Sequence, residues 1–129
     1  MRFATLTFTL IASHALGELP MGAAEFEAYV TGRIVSFGAP GNPGFGVEQY
    51  LEGRRVIWST GDGTCTKGVW YESKGDICFR YDGDPEPKCW TTYREGDGLR
   101  AIYTTRPDTT IIFEAEDYSV PLICGELSS

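Results

Sequence analysis

The chain contains a single histidine, His14, close to its amino terminus. Imidazole is the usual general base, the commonest transition-metal ligand and the partner of most Ser and Cys nucleophiles, so positions 15–129 exclude those chemistries. There is no C-x-x-C, no P-loop and no G-x-G-x-x-G, which removes thiol-redox motifs and phosphate-cradling loops. Positive charge is scarce as well: 11 Lys and Arg face 18 Asp and Glu, for a formal net charge of −7. An acidic chain without a basic patch is a poor nucleic-acid binder, because neutralising phosphates supplies most of that affinity. The same sign argues against docking on anionic lipid. We expect no nucleic-acid partner, no metal and no cofactor. Carboxylates are the remaining acid/base groups, and with 18 of them proximity alone carries little weight. We therefore expect no catalytic residues and no enzyme.

What is present begins with MRFATLTFTLIASHALG. Arg2 precedes an apolar run from Phe3 to about Leu16, and Ser13/Ala15 or Ala15/Gly17 supply an A-x-A-like exit. That order is the pattern of a secretory signal peptide. A membrane-spanning helix needs roughly 20 apolar residues, so the run is too short to be a stable anchor. We assign residues 1–17 to the signal peptide and residues 18–129 to one domain, periplasmic or secreted. The alternative for the run is an N-terminal strand or buried helix. Loss of Arg2 makes the mature domain one charge more acidic.

Within the domain, PMGAAEFEAYVTG reads as a helix over about 21–31. Ala23, Phe26 and Val30 share one face with Tyr29 beside them, Pro20 suits the start and Gly32 the C-cap. Eight short segments rich in β-branched and aromatic residues follow: 33–37, 45–50, 54–59, 66–72, 76–81, 89–93, 99–104 and 110–116. Turn signals separate them, among them LEG, TGDGT, SKG and DGDPEP. The pattern predicts an all-β, mostly antiparallel domain: a small eight-stranded barrel or sandwich preceded by one short helix. Residues 118–124 are expected as a last edge strand, with Pro121 weakening its centre. If Lys74-Gly75 is a two-residue turn, Trp70 lies across from Phe79 and Tyr71 across from Cys78. Ile77, Phe79 and Tyr81 then share one face, and Trp70 and Phe79 point inward.

Four cysteines in an exported chain fit two disulfides. Cys78 and Cys89 lie on neighbouring strands joined by one loop and can approach bridging distance. That leaves Cys65 for Cys124. The loop between the first pair carries Asp82, Asp84 and Glu86, at positions 1, 3 and 5 of a notional calcium loop. Pro87 and Tyr93 stand where an EF-hand requires Gly and Glu, so the loop reads as a rigid stapled tip and a possible recognition surface. Trp58, Trp70, Phe79 and Trp90 fall on strands, where they either line a ligand pocket or pack as core.

The ordered stretches PMGAAEFEAYVTGR, GFGVEQYLEGRRVIW, GTCTKGVWYESKGDICFRY and PEPKCW resemble small exported bacterial proteins known as a domain of unknown function. The resemblance covers about residues 20–93. It implies an exported β-rich domain with a Cys78–Cys89 bridge and brings no catalytic residues. In outline the domain is lipocalin-like, similar to periplasmic barrels that inhibit lysozymes or hold apolar ligands. We expect a non-enzymatic ligand-binding or protein-interaction module, whose partner is a small apolar ligand or a periplasmic protein. The competing readings are a carboxylate-dependent hydrolase of envelope glycans and a purely structural envelope component.

Overall fold

A computed structural model describes residues 1–8, 18–106, 110–117 and 119–125. Most of the apolar leader, with His14 and the expected cleavage positions, lies outside the described residues. The sequence's periodicities resolve into helix α1 (Ala23–Val30) and eight strands: β1 (Ile34–Ala39), β2 (Asn42–Leu51), β3 (Arg55–Ser59), β4 (Cys65–Ser73), β5 (Asp76–Tyr81), β6 (Lys88–Glu95), β7 (Gly98–Tyr103) and β8 (Ile111–Glu114). Each strand pairs antiparallel with the next, and β1 closes on β8 through Phe37–Glu114 and Gly38–Phe113. The sheet is a closed barrel rather than a sandwich.

The β4–β5 hairpin shows local chemistry setting register. Lys74 and Gly75 both take positive φ, 51° and 84°. That mirror-image turn matches the right-handed twist of its strands. Trp70 pairs with Phe79 and Tyr71 with Cys78, as the two-residue turn requires. Once this register is set, alternation does the rest. Val35 and Phe37, Glu48 and Tyr50, Val56 and Trp58, Phe79 and Tyr81, Leu99 and Ala101 occupy inward rows. Arg55, Lys67, Arg80 and Glu95 point outward and are exposed. This polarity is the inverse of a membrane-spanning barrel, which is apolar outside and polar within. No helix among the described residues is long and apolar enough to cross a membrane.

Helix α1 closes one end. Phe26 is fully buried and meets Tyr50, Trp70 and Phe79 edge-on, with ring centroids 5.8, 5.0 and 6.4 Å away. Burying such a ring stabilises by about 1.5–3 kcal/mol, and each edge-on pair adds about 0.5–1.5 kcal/mol. The helix is shorter than its periodicity suggested. Met21 is instead drawn into the core, with its N–H donating to the Thr92 carbonyl at 2.7 Å. Polar contacts hold the rim: Tyr29 hydroxyl bonds Glu114, Arg33 pairs with Glu114 at 2.6 Å, and the Ala23 N–H donates to Glu72 at 2.7 Å. The guanidinium groups of Arg33 and Arg94 lie 4.5 and 4.2 Å from the Tyr29 ring centre. Gly32, at φ 84°, turns the chain out of the helix into β1.

The expected edge strand at 118–124 is not formed among its described residues. A closed barrel has no free edge to extend, and Pro121 lacks a ladder donor. Residues 119–125 instead lie across the outside of β1–β3. The Val120 N–H donates to Ser36 Oγ at 2.9 Å and the Gly125 N–H to the Gly63 carbonyl at 2.8 Å. Val120 is buried, as are Val47 and Ser59, which pair across β2–β3. The Cys65–Cys124 disulfide ties this segment down, and Cys78–Cys89 crosslinks β5 to β6. Two disulfides suit an oxidising, non-cytoplasmic environment.

Candidate functional site

Away from the helix the barrel is hollow. A cavity of about 610 Å³ runs from Phe26 at its base to the β5–β6 loop at its mouth. That volume is typical of small-molecule sites. Nine of its twenty lining residues are aromatic, so the lumen is an aromatic tube. Two inward glycines help keep it open. A Cβ on Gly46 would fall 2.2 Å from Cη2 of Trp58, and one on Gly68 would fall 2.8 Å from Cδ1 of Tyr81. Trp58 and Tyr81 thus lie flat over neighbouring strands, where side chains on those strands would force them toward the axis.

The lumen contains one acid that the aromatic tube does not account for. Glu48, on β2, is 2% exposed. It reaches across the barrel to β5, where the Tyr81 hydroxyl donates to its Oε1 at 2.9 Å. Its Oε2 is buried without a protein partner, as is Oγ of Thr92, another cavity residue. Burial pushes the Glu48 carboxyl up to about 8, against a smaller lowering by the Tyr81 hydrogen bond. At neutral pH the free protein therefore holds a neutral carboxylic acid inside an apolar barrel. Burial, followed by the nearby Glu48 charge, also raises the phenols of Tyr50 and Tyr81.

The mouth is acidic but internally paired. Lys88 Nζ lies 3.0 Å from Asp84 and 3.2 Å from Glu86, and Arg106 reaches Glu86 at 2.8 Å. The Glu86 N–H and then Lys88 hold the Asp84 carboxyl below its ordinary value. Arg106 and then Lys88 do the same for Glu86. Asp82 is exposed at the same rim. Among the described residues, no group of three His, Cys, Asp or Glu side chains is placed to hold a metal ion.

No protein-family model matches this chain, and neither curated proteins nor solved structures give a significant match.

Of the four candidate aromatics, Trp58, Phe79 and Trp90 line the cavity together. Trp70 does not: it is buried beneath the lumen, between Phe26 and the Arg54 guanidinium 4.4 Å from its ring. The acidic tip also proves to be part of the mouth, since Asp82 and Asp84 both line it. Glu48, Tyr81 and Thr92 were missed as a group. The signal for Glu48 was its parity: it stands two residues before Tyr50, in the same row as an aromatic residue that any inward assignment would bury.

Proposed function

We propose that this protein is an exported, periplasmic binding module that holds a small, largely apolar molecule inside its barrel. The observation that carries this reading is the aromatic cavity with two buried, unpartnered oxygens, from Glu48 and Thr92. Native interiors rarely leave voids of this size or polar atoms without partners, and both are what a ligand would complete. The leader-like N-terminus, the two disulfides and the resemblance to small exported bacterial proteins support the setting. The protein-interaction reading is less favoured, because Asp84 and Glu86 already spend their charge on Lys88 and Arg106.

The test uses N-phenyl-1-naphthylamine, a neutral fluorophore that fits the cavity. Saturable one-to-one binding with energy transfer from Trp58 and Trp90 is expected. Ala101→Phe, which fills the lumen from β7, is expected to abolish it. Absence of saturable binding, or full binding by the filled variant, would refute the reading.

One observation favours a second reading, hydrolysis of an envelope glycan. A carboxyl raised to about 8 is a suitable general acid, and Asp82 lines the same cavity. Release of reducing ends from purified envelope glycan, lost in Glu48→Gln, would support it over simple binding.

A further inference from the structure

We propose that the cavity is selective for an organic ammonium ion, an apolar or aromatic molecule carrying one protonated amine, bound with its nitrogen against Glu48 Oε2. This deepens the binding reading above by naming the ligand's chemistry. The argument starts from what Glu48 lacks. A carboxyl this deeply buried is ordinarily paired with a cation or held by several donors. Glu48 has one donor, Tyr81, on Oε1, and nothing on Oε2. Among the described residues, Lys88 is the one Lys or Arg that lines the cavity, and it and the nearby Arg33 already have carboxylate partners. Lys88 is held by Asp84 and Glu86 at the mouth, and Arg33 is held by Glu114 at the closed end. The lumen therefore carries an unmatched acid site.

The surroundings discriminate between the possible counterparts. An anionic ligand would face a carboxyl and an acidic rim, with no free cation among the lining residues to receive it. A neutral apolar ligand would leave Oε2 as it is. An ammonium satisfies Oε2 directly and meets ring faces on several sides, which attract cations through their quadrupoles. Thr92 Oγ, buried and unpartnered in the same cavity, offers a second acceptor. Exposed Asp82 at the mouth and the overall charge of −7 favour the approach of a cation.

The reaction is an exchange of charges. The ligand enters as R–NH₃⁺, Glu48 gives its proton to solvent, and an ion pair replaces a neutral acid. The groups facing Glu48 permit this. Tyr81 donates to it from β5, and Tyr50 shares its inward row on β2. The cavity's remaining titratable or charged members are Tyr103 on β7, Lys88 on β6, and Asp82 and Asp84 in the β5–β6 loop. The phenols of Tyr50 and Tyr81 stay protonated well beyond the pH range used. The inward rows of β1, β3, β4 and β8 contribute no titratable group to the cavity wall.

Three matched ligands separate the possibilities by calorimetry on the full domain: 4-phenylbutylamine, 4-phenylbutanol and 4-phenylbutyrate. The amine is expected to bind at least ~10-fold more tightly than the alcohol, with the carboxylate weakest. Repeating the titration in buffers of different ionisation enthalpy should show net proton release with the amine at pH 7, and none with the alcohol. Amine affinity should rise roughly 10-fold per pH unit from pH 6 to 8 and level off above it. Glu48→Gln should reduce the amine to the alcohol's affinity measured on the same variant. If amine and alcohol bind equally to the wild-type domain, the cavity still binds apolar ligands and the ammonium inference is overturned. A tighter carboxylate, or an amine preference that survives Glu48→Gln, overturns it too. If none of the three binds, the binding reading itself falls along with it.

Discussion

Replacing Glu48 by Gln should change how stability depends on pH, and the size of the effect follows from where Glu48 sits. In the unfolded chain its carboxyl titrates at the ordinary value, 4.5; in the folded barrel burial holds the proton to about 8. Between these values the folded state binds a proton that the unfolded state has lost. Stability is then greatest below 4.5, falls by about 1.4 kcal/mol per pH unit through the window, and levels off above 8. The total across the window is about 5 kcal/mol, a third or more of the stability of an ordinary domain. Among the described residues, the other shifted groups do not interfere. Asp84 and Glu86 are lowered and titrate below the window, while Lys88, Tyr29, Tyr50 and Tyr81 are raised and titrate above it. Urea unfolding of the wild type at pH 5, 6, 7 and 8, followed by far-ultraviolet circular dichroism, measures the slope. Glu48→Gln removes the titration but keeps the shape, so its curve should be flat or much flattened. Its absolute stability is less informative, since a buried amide carries its own unmet hydrogen bonds, worth about 1–3 kcal/mol at every pH. Parallel pH slopes for the two proteins would show that Glu48 is not a buried neutral acid, and the proton release expected on amine binding would fall with it.

Phe26→Ala should destabilise the domain by about 3–5 kcal/mol, because it removes the ring that seals the closed end against Tyr50, Trp70 and Phe79; thermal unfolding measures the loss, and a change under 1 kcal/mol would contradict the plug. Gly46→Ala should cost about 1–3 kcal/mol and weaken the neutral fluorophore about 10-fold, because Trp58 must leave the wall and enter the lumen; an unchanged affinity would show that the cavity does not depend on that glycine. Loss of the Cys65–Cys124 bridge in the double Ser variant should cost about 4 kcal/mol and loss of Cys78–Cys89 about 3 kcal/mol, since the first closes the longer loop; chemical denaturation checks the order, and a reversed ranking would count against the chain-entropy account.

Local chemistry is legible in this sequence wherever a structural choice is made between near neighbours. The eight strands, the Lys74-Gly75 turn and the Trp70–Phe79 register all follow from alternation and turn residues a few positions apart. The Cys78–Cys89 bridge follows as well, because its strands are adjacent and consecutive. Three features required the tertiary structure. Closure of β1 on β8 joins segments more than seventy residues apart, and alternation alone fits a sandwich as well as a barrel. The C-terminal segment has strand-like composition, yet closure leaves it no edge, so it is fixed outside the barrel through Ser36, Gly63 and Cys65. Glu48 is the sharpest case. On its own strand its parity with Tyr50 points it inward, but nothing local says whether it meets a partner, water or an empty lumen there. Only the arrival of Tyr81 from three strands away, with Trp58 and Tyr81 lying flat over Gly46 and Gly68, makes it a buried acid in an open cavity. Side-chain periodicity is a property of the local backbone, whereas desolvation and enclosure are set by residues distant in the chain, and those decide the chemistry of this site.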